Sequence, residues 1–146
     1  MSQIKAAFFL TASLLLGAGN ALDAQKEQAQ FTGKWTVRKL TFDGDDHSAL
    51  VVNFTFKQDE AVMEGEESVK GEYARLKFKL DPTARPKRID FTVSAGLQLG
   101  TTVEGIYTFS RDEVRICARV FGAGRPSEFH APQGSNMVLM VLQRAK

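Results

Sequence analysis

Cysteine is almost missing from this chain: Cys117 is the only one in 146 residues. No intrachain disulfide can form, so the fold must be held by its core and by closure of its backbone hydrogen bonds. Histidine is nearly as scarce, and His47 and His130 lie far apart with no strong ligand cluster beside them. Catalytic zinc takes three protein ligands, so neither a metal nor a cofactor is expected. A surplus of one charge is lacking too. Nineteen Lys and Arg face 17 Asp and Glu, interleaved along the chain, and that pattern does not make a nucleic-acid footprint. Long apolar runs are absent after the first two dozen residues, and so is any helical period.

The beginning of the chain stands apart. Lys5 supplies a positive charge, Ala6 to Leu16 is apolar but too short for a stable membrane anchor, and Gly19-Asn20-Ala21 offers small residues for cleavage. A secretory signal peptide over residues 1–21 is expected, with a cut after 24 as the alternative. The mature protein is then exported, periplasmic or extracellular, with no membrane span left after cleavage. Residues 22–30 read as a polar linker, and 31–146 as one domain.

That domain alternates in steps of two. Val52, Phe54 and Phe56 share a face, as do Leu76, Phe78 and Leu80, then Ile89, Phe91 and Val93, then Val103, Tyr107 and Phe109, then Val114, Ile116 and Ala118. Turn residues separate these runs: Asp43-Gly44-Asp45-Asp46, Gln58-Asp59-Glu60, Gly65 to Ser68, Asp81 to Lys87 with its two prolines, and Ser110 to Glu113. The first strand opens at Phe31 and changes parity between Val37 and Leu40, which suggests a bulge. Eight short strands without intervening helices favour an all-β, antiparallel up-and-down barrel, which leaves no free edge. A two-sheet sandwich with Greek-key links is the structural alternative.

Two sets of residues strengthen the barrel reading. Gly33-Lys34-Trp35 resembles the Gly-x-Trp signature of lipocalin and calycin barrels, and Arg144 matches the late arginine that packs on that tryptophan. Asp81-Pro82, Pro86-Lys87, Ile89-Asp90, Gly105-Ile106-Tyr107, Ile116-Cys117 and Arg125 to Phe129, in that order, resemble an exported lipocalin-like domain expanded in planctomycete bacteria. The resemblance implies an eight-stranded lipocalin-like barrel and an export route. It implies no catalytic residues.

Catalytic signatures are not found in the residues themselves. The aspartates at 43–46 do not make a calcium loop, because Phe54 stands where the bidentate Glu belongs. Gly122-Ala123-Gly124-Arg125 lacks the Lys-Ser pair of a phosphate loop. Cys117 is flanked at strand parity by Arg115 and Arg119, which favour a thiolate, whereas a half-buried place favours an inert thiol. A Cys117, His130 and Glu128 nucleophilic set would need convergence that nothing local supplies.

The expected function is therefore non-catalytic binding of a small apolar or amphipathic ligand at the barrel mouth. Tyr107, Arg125 and Glu128 are its candidate contacts: the 121–135 stretch is the longest irregular one, and an arginine there suits a carboxylate. An Arg125 to Glu128 ion pair that merely pins the loop is the competing reading. Six inward aromatics, Phe54, Phe56, Phe78, Phe91, Tyr107 and Phe109, with Trp35 near the closed end, leave room for a small pocket at most. A filled barrel would suit the alternative function, an envelope protein-protein interaction or scaffold domain. The closing strand carries Val138, Met140 and Leu142 on one face and Met137, Leu139 and Val141 on the other, so one triplet needs cover from that loop or from a partner.

Overall fold

The computed structural model describes residues 21–65, 72–96 and 98–146. The expected leader lies outside them except for Ala21, and so does the expected turn beyond Gly65. Nine strands are present among the described residues: β1 (Gly33–Phe42), β2 (Asp45–Asp46), β3 (Val52–Lys57), β4 (Glu60–Gly65), β5 (Glu72–Asp81), β6 (Lys87–Ala95), β7 (Thr102–Ser110), β8 (Glu113–Arg119) and β9 (Met137–Arg144). Every pairing is antiparallel, β1 pairs with β3, each strand from β3 to β9 neighbours the next in sequence, and β1 pairs with β9 to close the ring. β2 is a two-residue flap outside that ring, folded back on β1 through Asp43 and Gly44, both at positive φ. The molecule is thus a closed eight-stranded up-and-down barrel of the lipocalin-like kind.

Local chemistry explains the closure. β1 must pair with β3 near its start and with β9 along its length, and a register shift between Val37 and Lys39 lets it bend between the two. This is the parity change visible in the sequence, and bulges are how barrels turn corners. Gly105 solves a tighter problem. A Cβ there would stand 2.7 Å from the Cys117 carbonyl and 3.0 Å from the Ala118 methyl, so only glycine lets β7 and β8 approach at this point.

The register fixes two unlike ends. Gly33, Lys57, Glu60, Asp81, Lys87, Ser110, Glu113 and Arg144 mark one end, and the opposite strand termini mark the other. Residues 21–31, expected as the end of the leader, a polar linker over 22–30 and the opening of β1, are helical. They close the first end. Phe31 is fully buried there, with ring centroids 5.0 Å from Phe56, 5.7 Å from Phe78, 5.3 Å from Tyr107 and 4.8 Å from Phe109. Aromatic pairs at such distances add to simple area burial.

The long connection from β8 to β9 lies over the outer wall. Ile106 and Cys117 point away from the interior by strand parity, yet both are buried. Pro126 and Ala131 of the connection are buried too, Arg119 donates to the carbonyls of Gly124 and Ser135, and Gly44 N donates to Ala131 O. Met137, Leu139 and Val141, on the outer face of β9, are only partly exposed.

Candidate functional site

The interior is divided into a packed half and an open half. At the helix end Phe31, Trp35, Phe56, Phe78, Tyr107 and Phe109 fill the lumen. Toward the other end, a cavity of about 320 Å³ remains, lined by Leu40 and Phe42 of β1, Phe54 of β3, Met63 of β4, Leu76 of β5 and Phe91 of β6. Val103, Ala118, Val120, Val138 and Met140 complete the wall. Every strand of the ring contributes, and among the described residues no lining side chain is polar.

This partly revises the expectation of a small pocket at most. The inward aromatics are where the alternation puts them, but Phe31 joins them at one end, and the crowding is confined there. Aliphatic and thioether side chains line much of the opposite half and leave it open. A wall of this kind can accept hydrocarbon and excludes charge, because an ion moved into it would lose its hydration with nothing to replace it.

The three residues expected at the mouth lie elsewhere. Tyr107 is buried in the packed end, where its hydroxyl donates to Glu27 Oε1 at 3.0 Å. Lys87 Nζ donates to the same oxygen at 2.6 Å, and its ammonium stands 6.0 Å from the Tyr107 ring centroid. Burial first, then the Glu27 carboxylate, pushes the Tyr107 phenol well above its ordinary range.

Arg125 sits on the outer wall. Its Nη1 donates to Asp90 Oδ1 at 2.6 Å and to the Gly105 carbonyl at 2.8 Å, and Nη2 donates to Glu104 Oε2 at 3.1 Å. The guanidinium fork is thus occupied by the protein's own acceptors across β6 and β7. Glu128 is exposed and takes no part. Arg125 pins the loop as the competing reading held, but through Asp90 and Glu104, which face outward on neighbouring strands at paired positions. None of the three residues lines the cavity.

Cys117 is equally committed to structure. It is fully buried, its thiol donates to the backbone carbonyl of His130 at 3.5 Å, and burial raises its pKa despite Arg119 nearby. That contact uses the His130 main chain, not its imidazole. No group of three or more His, Cys, Asp or Glu is placed to hold a metal ion among the described residues.

Gly33, Trp35 and Arg144 do come together. Trp35 and Arg144 are paired across β1 and β9, with the guanidinium carbon 4.3 Å from the indole centroid. Arg144 also donates to Gln30 O at 2.7 Å and to Thr32 O at 3.2 Å, and Trp35 Nε1 donates to Phe31 O at 2.7 Å. The last carbonyls of the helix are therefore satisfied by the barrel seam, which also places a cation at its negative end. Gly33 has φ of 122°, and a Cβ there would lie 3.5 Å from Arg144 Nη1. The signature is the latch that holds the helix in place.

No family model, curated protein or solved structure matches this chain.

Proposed function

We propose that this protein is an exported, non-catalytic carrier of a small apolar or amphipathic ligand, which enters the open half of the barrel tail-first. The observation that carries the reading is the cavity of about 320 Å³, whose described lining residues are all apolar. Its volume lies at the lower end of the range of small-molecule sites, roughly 300–1,000 Å³. A single chain or small ring system suits it, with any polar group left at the opening. The charged start and apolar Ala6 to Leu16 run support export, and the Trp35 and Arg144 seam supports kinship with lipocalin-like domains. The half-open interior favours this function over that of a scaffold with a filled barrel.

The test is a titration with N-phenyl-1-naphthylamine, an uncharged fluorophore that brightens in apolar surroundings. Saturable one-to-one binding is expected for the native protein. Val103→Trp, which fills the cavity from β7, is expected to weaken binding at least tenfold while the thermal transition remains cooperative. Equal binding by both proteins would place the fluorophore elsewhere and end the proposal.

A further inference from the structure

The described residues leave five large apolar side chains exposed: Leu22, Leu50, Val51, Leu99 and Phe121. Single exposed apolar residues are ordinary on any protein surface. Their distribution here is not. Four of the five lie on connections at the open end of the barrel: Leu50 and Val51 before β3, Leu99 between β6 and β7, and Phe121 after β8. Leu99 is the most exposed of them, at 68%. The Phe121 ring stands 6.2 Å from that of Phe42, which lines the cavity, so the exposed apolar surface continues into the apolar wall.

We infer that this end of the barrel seats on the surface of a lipid bilayer, and that the ligand passes between bilayer and cavity without crossing water. The inference deepens the proposed function, and rests on it, by naming the phase that supplies the ligand. Three separate connections present apolar side chains around one apolar opening. Such an arrangement matches a fluid hydrocarbon surface, which needs no shape complementarity, and burial of each side chain in it is favourable.

Charge narrows the kind of bilayer. The connection after β1 carries Asp43, Asp45 and Asp46, and Glu64 lies near the same end. The described residues between β6 and β7 carry no charge, and the one arginine between β8 and β9, Arg125, is tied to Asp90 and Glu104 on the wall. Anionic lipid is recruited by free Lys and Arg beside the contact, and the described connections at this end offer none. The surface expected is therefore neutral in net charge, such as phosphatidylcholine.

The full chain serves for the test, because the readout is local. Leu99→Cys and, at the opposite end, Asp112→Cys are labelled with an environment-sensitive thiol fluorophore, while the buried Cys117 stays unmodified. Phosphatidylcholine vesicles should shift the Leu99 label to the blue, brominated acyl chains should quench it, and the Asp112 label should do neither. Adding Val51→Asp to the Leu99→Cys protein should abolish the shift. A shift at Asp112 instead, no shift at either place, or a Leu99 shift produced by raising protein concentration without vesicles would overturn the inference. Naphthylamine titration without vesicles keeps the two ideas apart: its failure beside intact vesicle contact would remove the carrier reading and leave the contact standing.

Discussion

Burial and the Glu27 carboxylate together hold the Tyr107 phenol above its ordinary value of 10.0. The folded protein then keeps a proton that the unfolded chain gives up in alkali. Stability from this group is complete below about pH 10 and is lost as pH rises above it. Tyr107→Phe removes both the titration and a hydrogen bond to a charged acceptor, at a cost of about 2 kcal/mol near neutrality. Urea unfolding between pH 7 and pH 11 should show a steeper alkaline decline for the native protein than for the variant. Parallel declines would mean that the phenol is not insulated as its surroundings imply. The same residue shows where sequence reasoning stops. Alternation places Tyr107 inward correctly, but its partner is 80 residues away in sequence, in a segment that no strand pattern touches.

At the scale of elements, the helix over residues 21–31 is the part least legible beforehand and the most consequential. It has no apolar stripe, since its buried contacts are made by one carboxylate and one terminal phenylalanine. Ala24-Gln25-Lys26-Glu27-Gln28-Ala29-Gln30 is, however, a run of strong helix formers, and that composition was the available signal. So short a helix is marginal alone, and the barrel must supply its stability. Phe31→Ala should therefore cost about 3–5 kcal/mol, the range for deleting a buried aromatic ring. Hydrogen exchange should show protection lost first over residues 21–31, with β6 to β9 still protected. Uniform loss across the sheet would mean that the helix and barrel unfold as one unit. The strands were legible because half-buried antiparallel strands must alternate. The bulge in β1 was legible because a parity change has no other simple cause. Arg125 was misplaced because an irregular stretch offers no period, and its acceptors Asp90 and Glu104 are ordinary outward residues of strands.

For the molecule as a whole, the division of the lumen governs everything proposed. Counting inward aromatics in the sequence makes the barrel look nearly full, because a count carries no position along the axis. Folding gathers six large rings at the latched end and leaves the far half open, walled by Phe42, Phe54 and Phe91 together with aliphatic and thioether side chains. An apolar space of this size in water is favourable to fill with apolar matter. Native mass spectrometry of the protein purified from its own host tests this most directly. A single small, uncharged or single-headed lipophilic molecule should accompany the protein and be missing from Val103→Trp, whereas native protein and variant both arriving at the bare polypeptide mass would contradict the account.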